Sequence, residues 1–197
     1  MAERGGLYVI SAPSGAGKNA LLAEVRRRAA RIASTVSATT RAPRPGERDG
    51  VDYHFLDRET FQRRVAAGEF AEWAEVHGNL YGTLRSELDR CLATGSDVIL
   101  ELDVQGMRSL KRLYSGVGTI FLAPPSMAEL ERRLRSRGTN DEADIVLRMR
   151  NAEKEMAARG EFQYIIVNDT IDRAAAEMVE LLAARRAART AADADSR

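Results

Sequence analysis

The chain has 197 residues, of which 44% are hydrophobic and 30% are charged, and its formal net charge is +1. This composition is typical of a globular protein, and the near-zero charge argues against a general nucleic-acid-binding protein, whose affinity depends on neutralising many phosphates. A single cysteine excludes an intramolecular disulfide and a cysteine metal cluster. No apolar run approaches the roughly 18 residues of a membrane span. The sequence therefore predicts a cytoplasmic protein that binds neither a membrane nor nucleic acid.

A phosphate-binding element is predicted at residues 7–19. An apolar run at residues 7–10 precedes a loop of small residues, and a helical pattern begins at residue 20. A buried strand would fix such a loop, its glycines would let backbone N–H groups approach a phosphate, and the helix would present the positive end of its dipole. Lys18 would place its charge near the outer phosphates. The loop consists of Ala12, Pro13, Ser14, Gly15, Ala16, Gly17, Lys18 and Asn19.

The loop departs from the pattern G-x-x-x-x-G-K-[ST] at both ends. Ala12 replaces the first glycine, and Asn19 replaces the hydroxyl residue that binds magnesium. A glycine turn that only joins a strand to a helix is the alternative interpretation. The agreement of strand, loop, lysine and helix favours phosphate binding, while the substitution at position 19 weakens the prediction of catalysis.

A second anion site is predicted in the loop of residues 41–47. Two prolines and a glycine within this segment exclude a regular helix or strand. A stiff loop lets arginine side chains bind an anion with less loss of entropy. Arg41 and Arg44, with Tyr53 further along the chain, therefore form a candidate cradle for a phosphate. A surface loop that is basic without binding an anion is the alternative.

Residues 70–76 alternate in period two, as expected for a strand. This alternation predicts that Glu72 shares a face with Phe70 and Val76. A carboxylate there is a candidate for substrate recognition, and a glutamate on the surface of an edge strand is the alternative. Residues 77–83 are predicted to form a turn that brings Tyr81 and Thr83 together.

Acidic and basic clusters follow the predicted core elements. The apolar run at residues 96–103 ends in Glu101 and Asp103, which is how a buried parallel strand presents carboxylates at its carboxyl edge. Arginines at positions 132, 133, 135, 137, 148 and 150 crowd two predicted helices. Such dense like charge favours a lid that closes on a phosphate. Interleaved acidic residues support the alternative, an ion-paired helix hairpin.

The order of the predicted elements defines the fold class. Strands are predicted at residues 7–10, 35–40, 70–76, 96–103, 118–123 and 164–167. Helices are predicted at residues 20–30, 58–67, 104–114, 126–137, 142–159 and 171–188, with a frayed tail at residues 191–197. This order predicts an α/β fold with a three-layer core around a mostly parallel sheet and a mixed insert at about residues 41–92.

Taken together, the motifs resemble those of guanylate kinases from about residue 7 to residue 186. They are S-A-P-S-G-A-G-K, V-S-A-T-T-R-A-P-R-P-G-E, D-Y-H-F, F-A-E-W-A, G-N-L-Y-G-T, L-E-L-D-V-Q-G, A-P-P-S, R-L-R-S-R-G-T and I-V-N-D. This set is far more specific than the phosphate loop alone. Ala12 is familiar in bacterial members of the family, whereas Asn19 and Ala20 depart from the usual pair of hydroxyl residues.

The resemblance implies a phosphate-loop kinase core with a mostly parallel five-stranded sheet, an inserted mixed lobe that binds GMP, and a helical lid. It implies a single domain over residues 1–197, with the core at residues 5–40 and 93–188, the insert at about 41–92 and the lid at about 133–148. The implied reaction transfers a phosphoryl group from ATP to GMP, with Mg²⁺ as the cofactor and the two nucleotides as the partners. The sequence leaves open whether the chain is a monomer or a homo-oligomer.

The resemblance also implies roles for individual residues. The GMP-binding residues would be Ser37, Glu72 and Thr83 at the guanine, Arg41, Arg44, Tyr53 and Tyr81 at the acceptor phosphate, and Asp103 at the nucleoside. The catalytic residues would be Lys18, Arg41, Arg133, Arg137 and Arg148. ATP would bind along the loop of residues 12–19, with Asn168 near the adenine. Asn19 and Glu101 would hold magnesium weakly, largely through water.

Two other functions remain open from the sequence. Asn19 and Ala20 suggest a catalytically weak binding module with the guanylate kinase fold, although such modules lose nucleotide-binding residues broadly and this chain retains most of them. A related kinase that acts on a sugar phosphate is the second, and Ser37, Glu72 and Thr83 together argue against it. Guanine offers adjacent N–H donors to a carboxylate where adenine offers an acceptor, so Glu72 favours GMP as the substrate.

Overall fold

The described part of the chain, residues 4–76, 78–136 and 141–195 of a computed structural model, forms nine strands and seven α-helices. The strands are β1 (Leu7–Ser11), β2 (Ile32–Ala33), β3 (Ala38–Thr39), β4 (His54–Phe55), β5 (Phe70–Val76), β6 (Asn79–Leu84), β7 (Asp97–Glu101), β8 (Gly118–Ala123) and β9 (Tyr164–Val167). The helices are α1 (Lys18–Arg28), α2 (Arg58–Ala66), α3 (Arg85–Ala93), α4 (Val104–Leu113), α5 (Met127–Ser136), α6 (Glu142–Ala157) and α7 (Ile171–Asp195). None of these helices is both long and apolar enough to span a membrane.

Five strands form a sheet in the order β2-β7-β1-β8-β9. Strand β8 is parallel to both β1 and β9, with Tyr8 opposite Gly118 and Ile120 opposite Tyr164. Every residue of β1 and β8 is buried, which is typical of central strands in a parallel sheet. The predicted α/β class with a mostly parallel five-stranded sheet is therefore confirmed. The strands predicted at residues 118–123 and 164–167 have the expected bounds.

Two of the predicted strands differ from the structure. Of the strand expected at residues 35–40, only Ala38–Thr39 forms a strand, β3, while the short β2 ends before this segment begins. Strand β2 pairs within the five-stranded sheet, whereas β3 pairs within a second sheet. The β propensity of a segment does not reveal which sheet it joins. The strand expected at residues 96–103 ends at Glu101, which leaves Asp103 in the connection to α4.

The chain divides into two compact units. The first contains the described residues of Met1–Leu7, together with Ala33–Ile99 and Gln105–Val117. The second contains Tyr8–Ile32, Leu100–Val104 and the described residues of Gly118–Arg197. The whole of residues 41–92 lies in the first unit, and the phosphate loop lies in the second.

The first unit contains a four-stranded sheet in the order β4-β3-β6-β5. The predicted turn at residues 77–83 is wrong over most of its length, because β6 begins at Asn79, which pairs with Val76 in a hairpin. Gly78 has a φ angle of +78°, in the left-handed region that tight hairpin turns require. Strand β6 is hydrogen-bonded to β3 on one side and to β5 on the other, so its extended form depends on two neighbours rather than on its own composition.

The core of the first unit holds β5 in place. Phe61 of α2 stacks on Phe70 of β5 with ring centroids 4.3 Å apart, within a cluster of buried apolar residues. Helix α2 begins after Asp57, whose carboxylate accepts a hydrogen bond from the Thr60 main-chain N–H at 2.7 Å. This packing fixes the strand that carries Glu72.

In the second unit, the last helix is longer than predicted. We expected a helix over residues 171–188 and a frayed tail from residue 191, whereas α7 continues to Asp195. The tail is rich in alanine, the strongest helix former, and Arg189 donates a hydrogen bond to the Tyr8 hydroxyl at 2.9 Å. This contact between distant parts of the sequence helps to hold the end of the helix.

Candidate active site

The phosphate loop of the second unit, residues 12–19, connects β1 to α1 as predicted. Gly15 and Gly17 have φ angles of +94° and +91°, in the left-handed region that favours glycine. The Ala16 N–H donates to the Pro13 carbonyl at 3.0 Å, which closes a turn at the centre of the loop. Gly17 precedes α1 and carries no side chain that could cap it. The first-turn N–H groups of α1 are therefore left for an anion.

The backbone conformation and the close neighbours both disfavour a side chain at the two glycines of the loop. A Cβ atom on Gly15 would lie 2.9 Å from the Leu134 Cδ2 atom of α5. A Cβ atom on Gly17 would lie 2.5 Å from the Asn168 Nδ2 atom. Between them, Ala16 is fully buried in an apolar cluster with residues of α5 and α6. The loop is thus held by close contacts to its backbone.

Acidic side chains surround Lys18 in this unit. Its Nζ atom lies 3.6 Å from the Glu101 Oε2 atom at the end of β7. Burial raises the pKa of the Glu155 carboxyl on α6, while Lys18 opposes this rise and Asp103 adds to it. Asp103 lies in the second unit, whereas the other residues predicted to bind GMP lie in the first.

Two of the predicted lid arginines contact the phosphate-loop region. Arg133 on α5 donates to the Glu129 carboxylate at 2.8 Å and to the Asn168 main-chain carbonyl at 3.0 Å. Arg148 on α6 donates to the Ser14 hydroxyl at 3.1 Å. The structure therefore brings these two arginines together with the loop.

Neighbouring arginines are paired along the helices. Arg132 donates to Glu129 at 2.7 Å, and Arg135 pairs with acidic residues of both α5 and α6. Hydrogen bonds from Arg132 and then Arg133 lower the pKa of the Glu129 carboxyl to about 2. The ion-paired hairpin thus accounts for Arg132 and Arg135, whereas Arg133 and Arg148 extend to the loop. Arg137 lies outside the described residues.

A cavity of about 270 Å³ lies beside the loop. Its wall is formed by Gly15, Gly17, Arg133, Ser136, Asn168, Asp169 and Ile171. Our sequence analysis did not assign a role to Ser136, Asp169 or Ile171. The position of Asp169 just after the carboxyl end of β9 was the available signal, because ligands of such sheets bind at that edge.

In the first unit, Glu72 is hydrogen-bonded to Thr83. The Thr83 hydroxyl donates to the Glu72 Oε1 atom at 2.7 Å, and Thr83 is only 3% exposed. A register shift between Phe70 and Glu72 pairs Phe70 with Leu84 but Glu72 with Thr83. Successive residues of a strand point to opposite faces, so Leu84 and Thr83 do too. The prediction that Glu72 shares a face with Phe70 is therefore wrong: the bulge directs Glu72 to the other face, away from the apolar core.

The loop of residues 41–47 is organised by a glutamate. Arg41 Nη2 donates to both carboxylate oxygens of Glu47, at 2.8 and 3.0 Å. The Arg41 guanidinium lies 5.5 Å from the Tyr53 ring centroid, and the Tyr53 and Tyr81 ring centroids are 6.2 Å apart. The structure thus brings Arg41, Tyr53 and Tyr81 together. Our sequence analysis missed the part played by Glu47, which closes the motif R-A-P-R-P-G-E.

The remaining predicted residues of this unit are positioned by main-chain contacts. The Arg44 N–H donates to Glu47 at 2.7 Å, and its side chain is exposed. Ser37 directly precedes β3, and its carbonyl accepts a hydrogen bond from the His54 N–H at 2.9 Å. Arg44 is therefore tied to the same glutamate as Arg41.

These features define the class of protein. A parallel sheet, a glycine loop with two left-handed residues, and a lysine at the start of the following helix form a phosphate-loop nucleotide-binding fold. Arg148 of α6 contacts the loop and Arg133 of α5 lines the cavity beside it, an arrangement that suits the binding of transferable phosphate groups.

Comparison with known proteins identifies the family. The guanylate kinase family model matches residues 4–185. A guanylate kinase of Thermotoga maritima is 47% identical over 184 residues, which are 93% of this chain and 89% of that protein. A guanylate kinase of Alcanivorax borkumensis is 48% identical over 186 residues, which are 94% of this chain and 90% of that protein. The crystal structure of guanylate kinase from Anaplasma phagocytophilum matches with a TM-score of 0.66 at 35% identity, covering 93% of this chain and 87% of that one. The chain belongs to the guanylate kinase family.

Proposed function

We propose that the chain is an ATP:GMP phosphotransferase, which transfers the γ-phosphoryl group of ATP to GMP and yields ADP and GDP. Within the matched family, the observation that carries this proposal is the pair of Glu72 and Thr83. The carboxylate accepts from the adjacent N–H donors of guanine, whereas adenine would leave it facing an acceptor. The threonine hydroxyl holds one carboxylate oxygen at 2.7 Å and so orients the side chain.

The acceptor phosphate is assigned to the first unit. Arg41 and Arg44 donate to it from the basic loop, and the hydroxyl groups of Tyr53 and Tyr81 complete the cradle. Glu47 holds Arg41 in a fixed orientation, which lowers the entropy lost on binding. Ser37 extends the guanine site beside β3, and Asp103 of the second unit is assigned to the nucleoside.

The donor phosphates are assigned to the second unit. Loop N–H groups and Lys18 bind the phosphates of ATP, and the cavity beside the loop receives the rest of the nucleotide. Arg133, Arg137 and Arg148 neutralise charge on the transferred group. Positioning and charge neutralisation supply most of the catalysis in phosphoryl transfer, so no covalent intermediate with the protein is required.

Magnesium is the cofactor of the proposed reaction, in which it would neutralise the charge of the phosphate groups. The Asn19 carboxamide and the Glu101 carboxylate would supply oxygen atoms, the donors that magnesium prefers. Among the described residues, no cluster of three or more acidic, histidine or cysteine side chains could hold a metal alone. Water and the substrate phosphates would supply the remaining ligands.

A coupled assay of ADP release tests the proposal. We expect turnover with ATP and GMP, and little or none with AMP, UMP or ribose 5-phosphate. A preference for ribose 5-phosphate would identify a sugar-phosphate kinase. No turnover with any acceptor, together with tight nucleotide binding, would identify a binding module. Both results would contradict the proposal.

The same assay on Asn19→Ser tests whether position 19 binds the metal. The asparagine carboxamide is bulkier than a serine hydroxyl and its NH₂ group sits badly beside a cation, so we expect a faster rate with serine, with the gain bounded by about 2.7 to 4 kcal/mol. The matched control is Ala23→Ser, which adds a hydroxyl on the exposed surface of α1 and should leave the rate near that of the parent. Equal rates for Asn19→Ser and the parent across a magnesium titration would show that position 19 does not hold the metal.

A further inference from the structure

The Asn168 side chain is directed at the phosphate loop. Asn168 follows β9 and is 2% exposed. Its Nδ2 atom donates to the Ala16 main-chain carbonyl at 2.7 Å, a buried hydrogen bond between residues far apart in the sequence. A carbonyl accepts only from a donor, so this contact determines which end of the carboxamide faces the loop.

The main chain of Asn168 is also engaged. Its N–H donates to the Ala123 carbonyl at 2.8 Å, and its carbonyl accepts from Arg133 at 3.0 Å. The residue therefore links the end of one core strand, a lid arginine and the phosphate loop within a single unit. A displacement of Asn168 would affect all three.

The geometry of the peptide bond links this contact to phosphate binding. The Ala16 carbonyl and the Gly17 N–H belong to one planar trans peptide and point in opposite directions. A hydrogen bond that anchors the carbonyl on the Asn168 side therefore directs the Gly17 N–H to the opposite side. Gly17 has no room for a Cβ atom on the Asn168 side, where Nδ2 would be only 2.5 Å away.

We propose that Asn168 is a positioning residue that orients the Ala16–Gly17 peptide of the phosphate loop for the phosphates of the donor. The proposal rests on the proposed function, because it concerns the ATP side of the same reaction. This role adds to the position near the adenine that the family resemblance implies. Asn168 also lines the cavity beside the loop, and the hydrogen bond to the loop carbonyl uses one N–H of its carboxamide.

Inorganic tripolyphosphate tests the role at the phosphates directly, because it contacts only a phosphate site. In Asn168→Ala we expect tripolyphosphate to bind about tenfold more weakly by titration calorimetry, since a buried carbonyl loses its partner. The value of kcat/KM should fall for ATP and also for ITP, which has the same phosphates and a different base. Unchanged tripolyphosphate affinity, or a loss of kcat/KM with ATP alone, would overturn the proposal.

The controls keep the result interpretable. Asn151→Ala makes the same chemical change on the exposed surface of α6 and should leave tripolyphosphate affinity unchanged. If Asn168→Ala does not fold, Asn168→Ser, whose hydroxyl is too short to span the same distance, is measured with the same expectations. Tripolyphosphate binding needs neither GMP nor turnover, so it decides the role of Asn168 even if the parent protein fails to phosphorylate GMP.

Discussion

The phosphate loop, residues 12–19, and the basic loop, residues 41–47, are both assigned to phosphate groups, but they are stabilised by different parts of the chain. In the phosphate loop the anchors act on the backbone: two glycines in the left-handed region, a fully buried Ala16, and the hydrogen bond from Asn168 to a main-chain carbonyl. In the basic loop the anchor acts on a side chain, because Glu47 holds the Arg41 guanidinium through both carboxylate oxygens.

This difference determines which substitutions each loop tolerates. A site made of N–H groups can keep its geometry when side chains change, which explains how Ala12 and Asn19 occupy positions where other residues are usual. A site made of side chains depends on the shape of each donor, because a planar guanidinium cannot be replaced by a different cation without losing its paired hydrogen bonds. The predictions below test this contrast.

The largest effect is expected at Lys18, which adds a charged side chain to a loop that otherwise binds phosphate through its backbone N–H groups. Lys18→Met keeps the length of the side chain and removes its charge. We expect turnover to fall by about 10² to 10³, as for the loss of one preorganised donor in a catalytic site. Lys111→Met on α4 is the control, with turnover near that of the parent. If Lys18→Met retained full turnover, the loop backbone alone would suffice for catalysis.

In the first unit, base selection should depend on a single charge. Glu72→Gln removes the charge-assisted acceptor, and we expect the preference for GMP over AMP to fall by about 1.5 to 3 kcal/mol, the strength of a hydrogen bond to a charged group. The measurement is kcat/KM for both acceptors. Glu75→Gln on the same strand changes an exposed glutamate paired with Arg58, and its preference should match the parent. If Glu72→Gln kept the parent's preference for GMP over AMP, the assignment of Glu72 to the guanine base would be wrong.

A smaller effect is expected in the basic loop. Arg44→Lys retains the charge but loses the planar fork, so we expect the KM for GMP to rise by about tenfold while the KM for ATP stays constant. Arg48→Lys, just beyond the loop, is the control. Identical values of KM for GMP in Arg44→Lys and the parent would indicate that Arg44 is a surface residue that does not bind the acceptor phosphate.

The smallest effect concerns stability near the phosphate loop. Burial raises the pKa of Glu155, so the native state retains a proton that the unfolded state releases as pH rises, and stability is lost through that window. Glu155→Gln removes this loss. We expect the free energy of unfolding to increase by under about 1 kcal/mol at pH 7, a small value because the partly buried carboxyl is still screened by solvent, with no gain below about pH 4. Thermal denaturation at both pH values measures it, with Glu153→Gln as the exposed control on the same helix. If Glu155→Gln raised the free energy of unfolding equally at both pH values, the gain would not come from the raised pKa of Glu155.

Local chemical signals predicted the elements that bound the site. Asp57, directly before α2, is a local capping signal because its side chain accepts from a nearby N–H group, and Pro124 directly after β8 ends that apolar run. The glycines, the lysine and the position of the phosphate loop between a strand and a helix were also local. The alternation of residues 70–76 predicted β5 with the observed bounds. In each case the deciding interactions join residues within one turn or one strand.

The tertiary structure decided the features that depend on distant partners. Strand β6 is extended because it pairs with both β3 and β5, although its sequence indicates a turn. The bulge that directs Glu72 towards Thr83 depends on the register between two strands, and period-two alternation carries no information about register shifts. The hydrogen bond from Asn168 to Ala16 joins residues 152 positions apart, so no local pattern could indicate it. The sequence alone determined which chemical groups the site contains, and long-range packing determined the direction in which each group points.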